Sequence, residues 1–201
     1  MNILILWSYS TWKTTLINEF KNKFPQYKIK ELPDIARLIL ERDGLNINKF
    51  TPIKMIEFQK QVYKEFDSIR IQIASSKQED EILIFDWADL LSLVYYTDSQ
   101  NYSLNNVLSS IDKDSHLENL INNSIDWKEK FDLILYLPIE FELCVDWTRQ
   151  SSDTKRKDID NRLTFLMREL WYSFTKLSWT VSERIRILEE LVEERLSYNC
   201  V

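Results

Sequence analysis

The chain has 201 residues, of which 44% are hydrophobic and 29% charged, as in ordinary globular domains. The formal net charge of -6 argues against a general nucleic-acid surface, although a local cluster of cations could still bind phosphate. Two cysteines without metal-ligand spacing, no secretory leader pattern and no apolar run of about 18 residues predict a cytoplasmic protein without nucleic-acid or membrane partners.

Predicted strands and helices alternate along the chain. Short apolar runs predict strands over residues 2–7, 26–31, 81–86, 131–137 and 173–178. Helical spacing of apolar residues predicts helices over 13–24, 33–43, a long stretch after Pro52, 88–96, 155–170 and 180–197. The polar stretch 98–127 predicts a loop or short helices above the site. We therefore expect one α/β domain over 1–201, with a parallel five-stranded sheet and helices on both faces.

The segment WSYSTWKT, residues 7–14, has the length, lysine, threonine and flanking elements of the phosphate-binding loop G-x-x-x-x-G-K-[ST]. In such a loop Lys13 would contact the β- and γ-phosphates of ATP, and the Thr14 hydroxyl would hold Mg²⁺. The other residues that we expect to contact the nucleotide are Trp7, Ser8, Ser10, Thr11, Trp12 and Thr15, with the loop backbone surrounding the phosphates. The alternative is a strand, a turn and a helix with an accidental Lys-Thr pair.

Tryptophan stands where this loop needs glycine, at Trp7 and Trp12. The chain has one glycine and seven tryptophans, whereas roughly 14 glycines would be usual for its length. Glycine would also suit the positions of Trp147, Trp171 and Trp179, which lie in turns or at a helix end. One hypothesis is that these are glycine codons read with the wrong code, because UGA specifies glycine in some bacteria and tryptophan in other codes. The other is that the loop has decayed. Position 127 could be a true tryptophan or a recoded glycine.

Two residues outside the loop are candidates for catalysis. Asp86 ends the predicted third strand and could hold Mg²⁺ through water or act as a base, or it could simply cap the next helix. Arg149 could stabilise the charge that develops during phosphoryl transfer. The neighbouring run at residues 155–157 is interpreted as a solvated face, and His116 as a surface residue.

Several stretches together resemble the NadR-like AAA group of P-loop proteins, which includes the ribosylnicotinamide kinase domain. They are ILILWSYSTWKTTLINEF, ELPDIARLIL, MIEFQKQVYKEF, ILIFDWADLLSLVYY, the stretch from FDLILYL to DIDNRL, and WYSFTKLSWTVSERIRIL. The resemblance implies an ATP-dependent kinase for a nucleoside-like acceptor such as nicotinamide riboside, with a lid segment at about 140–160. It also implies substrate-side roles for Asp34, Arg37, Gln59 and Asp89.

Other interpretations of these residues and of the function remain open at this point. Asp34 and Arg37 could form a local ion pair, Gln59 could belong to a polar helix face, and Asp89 could be solvated. Tyr95 and Tyr96 could stack on a base, although core packing is the simpler interpretation. The alternative functions are a nucleotide-binding ATPase or switch without kinase activity, and a pseudo-enzyme. The oligomeric state is not predicted.

Overall fold

The computed structural model describes residues 1–7, 13–76, 81–85, 89–142 and 152–198. The strands are β1 (Asn2–Trp7), β2 (Lys28–Glu31), β3 (Glu81–Phe85), β4 (Leu133–Leu137) and β5 (Thr175–Lys176). The helices are α1 (Lys13–Lys23), α2 (Ile35–Arg42), α3 (Pro52–Ser76), α4 (Asp89–Ser99), α5 (Ser115–Lys128), α6 (Asp153–Glu169) and α7 (Val181–Tyr198). Short 3-10 turns cover Ile47–Lys49, Leu104–Asn106 and Leu108–Lys113.

All five strands form one parallel sheet in the order β2-β3-β1-β4-β5. The three central strands are almost wholly buried, which explains their continuous apolar sequences. Helix α1 packs against α7, while α4 packs against α3, α5 and α6. The predicted α/β fold with a parallel five-stranded sheet is confirmed, and the carboxyl end of β1 leads towards the predicted phosphate loop.

The prediction for residues 98–127 is wrong in its second half. Residues 115–128 form helix α5, a full helix that packs against α4. Its N-terminus is capped by Asp114, whose carboxylate accepts hydrogen bonds from the backbone N–H groups of His116 and Leu117. One face of the helix is buried through Leu117, Leu120, Ile121 and Ser124. This face stabilises a helix whose exposed residues are strongly polar.

Among the described residues, three helices end in the same hydrogen-bonded cap, in which the residue after the cap adopts positive φ. In α2 this residue is Gly44, with φ of 60°, and its N–H and the next N–H donate to Glu41 and Leu40. In α4 the equivalent residue is Asn101, and in α6 it is Trp171, both with φ of 55°. Glycine and asparagine are the usual residues there, because a Cβ in this conformation costs about 1–2 kcal/mol.

None of the helices in the described ranges combines the length and the apolar character needed to cross a membrane.

Candidate active site

The first turn of α1 is suited to binding an anion. Lys13, Thr14 and Thr15 begin this helix, and its first turn contains no acidic residue. A helix N-terminus carries unpaired N–H groups and a partial positive charge, both of which attract phosphate. Thr14 is exposed, so its hydroxyl is accessible to a metal–nucleotide complex. The described part of the predicted loop therefore presents N–H groups and a hydroxyl that suit a phosphate. Ser8, Ser10, Thr11 and Trp12 lie outside the described residues.

Trp7 is the feature of this site that does not suit phosphate. It is the last residue of β1, pairs with Leu137 of β4 and is only 5% exposed. The Lys13 ammonium lies 4.8 Å from the centre of the Trp7 ring, within cation–π range. With tryptophan at position 7, an indole occupies the surroundings of the predicted phosphate-binding lysine, where a glycine would leave space for phosphate.

A cavity of about 260 Å³ adjoins the carboxyl end of β1. Parallel sheets bind ligands beyond this edge, so its position agrees with the sequence prediction. Its walls come from α2, from the start of α3, from the end of α4 and from the first turn of α6. The lining residues are Trp7, Asp34, Ala36, Arg37, Leu40, Ile47, Phe50, Thr51, Pro52, Met55, Phe58, Gln59, Tyr95, Asp98, Ser99, Asn101 and Lys155.

Gln59 is a buried polar group in a mostly apolar part of this wall. The residue is 7% exposed, and within the described chain its Oε1 accepts no hydrogen bond. Its Nε2 makes only a 3.7 Å contact with the Met55 sulfur, which is a weak acceptor. Phe50 and Phe58 meet edge to face beside it, with ring centres 5.4 Å apart. A buried amide in this state favours a ligand that supplies hydrogen bonds.

The charged residues of the cavity occur as two ion pairs. Arg37 Nε lies 3.9 Å from Asp34 Oδ2, and Asp34 also caps α2 by accepting the Arg37 backbone N–H. Lys155 of α6 pairs with Asp98 at the end of α4. Arg162, two turns further along α6, lies 3.7 Å from the same carboxylate. The charges that line the cavity therefore balance, and helix α6 is attached to the wall by two cations.

The structure brings together most, though not all, of the residues predicted on the substrate side. Asp34, Arg37 and Gln59 line the cavity, and Tyr95 joins them while remaining 8% exposed. Asp89 begins α4, is 1% exposed and does not line the cavity, so the interpretation of Asp89 as a solvated residue is wrong. Asp86 and Arg149 lie outside the described residues. Residues 143–151 of the predicted lid lie outside them as well. The end of that predicted segment, from residue 153, begins α6.

The interpretation of residues 155–157 as a solvated face is also wrong for two of the three. Lys155 lines the cavity, and Arg156 is 1% exposed and donates to the Phe141 carbonyl at 2.7 Å. Only Lys157 is largely exposed, in a pair with Asp153. Burial lowers the pKa of Arg156, although arginine stays charged at any physiological pH. A helical period in the sequence could have separated these three residues, because consecutive positions on a helix point in different directions.

The segment after β4 is held by two buried arginines. Besides Arg156, the fully buried Arg184 of α7 donates to Glu140 Oε2 at 2.8 Å, and its guanidinium lies 4.9 Å from the Phe141 ring centre. Glu140 also accepts the backbone N–H of Trp179 at 2.7 Å. The chain is thus anchored just before residue 143, where the predicted lid continues. These contacts join residues far apart in sequence, and sequence reasoning did not identify them.

Metal-ligating side chains do not form a ready-made cluster in the described ranges. Of the two predicted magnesium residues, Thr14 stands at the start of α1 and Asp86 follows β3 outside those ranges. A hydroxyl at this place agrees with a metal that is bound mainly through nucleotide phosphates, since Mg²⁺ keeps few protein ligands.

The parallel sheet, its strand order and a ligand cavity beyond β1 define a P-loop NTPase fold of the nucleotide-kinase type. The chain belongs to the AAA domain family, whose profile matches residues 2–184, and this confirms the predicted resemblance. A comparison with curated protein sequences gave no significant match.

Solved structures with similar folds include a NadR protein, a deoxyadenosine kinase and a thymidylate kinase. A NadR protein in complex with NR is 16% identical, with a TM-score of 0.65 over 96% of this chain and 49% of that chain. Deoxyadenosine kinase from M. mycoides is 17% identical, with a TM-score of 0.61 over 96% of this chain and 100% of that chain. Thymidylate kinase from Ehrlichia chaffeensis is 12% identical, with a TM-score of 0.52 over 94% of this chain and 98% of that chain. This chain spans about half the length of the NadR protein.

Proposed function

We propose that this protein is a kinase that transfers the γ-phosphoryl group of ATP to a hydroxyl of a small nucleoside-like acceptor. The observation that carries the proposal is the cavity beyond β1, where the buried amide of Gln59 presents an unsatisfied acceptor. The likeness to nucleoside and nucleotide kinases supports the fold on which the proposal rests.

The lining of the cavity supports an acceptor with an amide or amino-substituted ring. The Gln59 Oε1 can accept a hydrogen bond from an N–H at the ring edge, while Phe50 and Phe58 supply apolar contact area. Both lining cations, Arg37 and Lys155, already pair with lining carboxylates. This charge balance supports an acceptor without its own phosphate, and nicotinamide riboside, which carries a carboxamide, is our candidate.

In the proposed reaction, the phosphates of ATP would lie at the N-terminus of α1, beyond the carboxyl end of β1. Lys13 would contact the β- and γ-phosphates, Thr14 would hold the metal, and the first N–H groups of α1 would face the phosphates. Magnesium, when bound, neutralises phosphate charge. Asp86 would orient the acceptor hydroxyl, and Arg149 would stabilise charge on the transferred group. Positioning and charge stabilisation would supply most of the rate enhancement.

The test compares the protein that has tryptophan at positions 7 and 12 with the Trp7→Gly/Trp12→Gly double variant. Each is titrated with a non-hydrolysable ATP analogue and then assayed for nucleoside-dependent ADP production with a panel of nucleosides that includes nicotinamide riboside. We expect the glycine form to bind the analogue and to phosphorylate at least one nucleoside faster than it hydrolyses ATP. Binding with hydrolysis alone would instead support a nucleotide-binding ATPase or switch.

A pseudo-enzyme is the second candidate, and the contact between Lys13 and Trp7 favours it. If tryptophan is the true residue at position 7, the indole holds the ammonium that should reach phosphate. This candidate predicts that the protein with tryptophan at positions 7 and 12 does not bind ATP and that acceptor molecules still bind in the cavity.

A further inference from the structure

Trp171 and Trp179 have backbone conformations that belong to glycine. Among the described residues, positive φ occurs at Gly44, Asn101, Trp171 and Trp179, with φ of 55° and 80° at the two tryptophans. In this region the Cβ of an L-residue crowds the following carbonyl, and for a bulky residue such a conformation is a genuine outlier. We infer that the protein carries glycine at positions 171 and 179, encoded by UGA codons that its source reads as glycine.

The α6 cap supplies an internal comparison for position 171. Its N–H donates to Arg168 at 3.1 Å, and the N–H of Tyr172 donates to Met167 at 2.9 Å. The α2 cap has the same two bonds around Gly44, at 3.3 and 2.9 Å. The same cap thus forms at three described helix ends, once with the only glycine in the sequence, once with Asn101 and once with Trp171. Because the hydrogen bonds determine the positive φ, the residue type at position 171 should be one that tolerates it.

Position 179 is constrained from both sides. Its N–H donates to Glu140 Oε2 at 2.7 Å, and Glu140 is itself held by the buried Arg184. The next residue, Thr180, caps α7: its hydroxyl accepts the Glu183 N–H, while Glu183 accepts the Thr180 N–H. The chain must turn between these two attachments, and the left-handed conformation at residue 179 makes this turn.

The two indoles gain little that could offset this strain. Trp171 is 85% exposed and Trp179 is 68% exposed, although tryptophan is on average a highly buried residue. An L-residue is usually kept in a strained conformation by packing around its side chain, and neither indole is packed in that way. Trp127 differs from both, because it lies inside α5 with helical backbone and is half-buried. Position 127 therefore serves as a control.

Sequencing of the gene and of the protein from its source tests the assignment directly. We expect UGA at codons 171 and 179 and, by peptide mass spectrometry, glycine at both residues. UGG at either codon, or a peptide that contains tryptophan at either residue, would overturn the inference. This outcome is independent of the kinase proposal, because neither residue belongs to the cavity or to the predicted phosphate loop.

A stability comparison tests the physical reason. Alanine normally stabilises a site relative to glycine, whereas positive φ reverses this order. We expect Trp171→Gly and Trp179→Gly each to melt about 2–4 °C above the corresponding alanine variant. At position 127 we expect Trp127→Ala to melt above Trp127→Gly. Equal or higher melting temperatures for the alanine variants at 171 and 179 would show that nothing at these sites requires glycine, and the inference would fail.

Discussion

The ammonium of Lys13 stacks on the ring of Trp7, 4.8 Å from its centre, at the point where the predicted loop meets the sheet. A cation–π contact of this kind stabilises the stacked lysine by about 0.5–2 kcal/mol. Phosphate binding must overcome this contact, and the indole also occupies space beside the lysine. We therefore expect the contact between Lys13 and Trp7 to lower the affinity for nucleotide.

The effect of Trp7 can be isolated by comparing Trp7→Gly/Trp12→Gly with Trp12→Gly alone. We expect the double variant to bind a non-hydrolysable ATP analogue about 3- to 30-fold more tightly, because the cation–π contact is lost. Isothermal titration calorimetry measures the difference. Trp127→Phe in the Trp12→Gly background controls for the loss of an unrelated indole. Equal affinities for the two glycine variants would mean that the stacked lysine does not oppose nucleotide binding.

Replacement of Gln59 by leucine should affect acceptor binding and stability in opposite directions. The KM for the acceptor should rise about tenfold or more, because a hydrogen bond to the ligand is lost. The melting temperature should stay the same or rise, since a buried unsatisfied carbonyl is removed. Gln61→Leu is the matched control, because Gln61 lies on the same helix and bonds to Glu65. A fall in stability without any change in KM would assign Gln59 a purely structural role.

Replacement of Lys155 by methionine should lower the kcat/KM for the acceptor with little effect on the stability of the fold. Lys155 is partly exposed, and exposed ion pairs contribute about 0.2–1 kcal/mol to stability. Asp98 also keeps Arg162 nearby in this variant. We expect the acceptor kcat/KM to fall about tenfold, as for the loss of one well-placed charged contact. Lys157→Met should leave it unchanged, since Lys157 pairs with Asp153 on the exposed side of α6. Similar kinetics for the two variants would refute the assignment of Lys155 to the site.

The stability of the protein should fall as the pH falls below about 6.5. Burial, and then the positive charge of Lys60, lower the pKa of His116 from this ordinary value, while Asp114 opposes the shift. The ring is half-buried and lies edge to face against Tyr63 and Tyr96, so the interpretation of His116 as a surface residue is wrong. Below pH 6.5 the unfolded chain therefore binds the proton more readily than the folded chain, and unfolding is favoured.

Urea unfolding at a series of pH values measures this dependence. The variant His116→Gln should show a flatter profile just below pH 6.5, because the imidazole has been removed. Carboxylates are the same in both proteins, so the difference between the two profiles isolates the imidazole. The same slope in both proteins would assign the dependence to another group.

The sequence patterns predicted the sheet well because buried parallel strands have an unmistakable composition. ILILW and LILYL read as strands in isolation and are central strands in the structure. Helix α5 was missed because its many asparagines and serines resemble a loop. Its apolar residues Leu117, Leu120 and Ile121 nevertheless have helical spacing, which was the signal available.

The candidate site was less predictable, because its side chains meet through contacts between distant elements. The lysine and threonines of α1 could be identified from local spacing alone. Nothing local places Lys155 beside Asp98, which is 57 residues away in sequence. Burial of Arg156 and Asp89 likewise depends on the neighbours that tertiary packing supplies. Helical spacing shows that residues 155–157 point in different directions, but tertiary packing decides which of them faces the cavity, the core or the solvent.

Asp98 is shared by two cations of one helix, at positions 155 and 162, two turns apart. Because both cations contact one carboxylate, a rotation of α6 about its axis would lengthen these contacts with the end of α4. A molecule that competes for this carboxylate would loosen the first contact while the second still holds. We therefore expect an acceptor that binds in the cavity to change the rate of amide hydrogen exchange along α6, the helix that follows the segment 143–151.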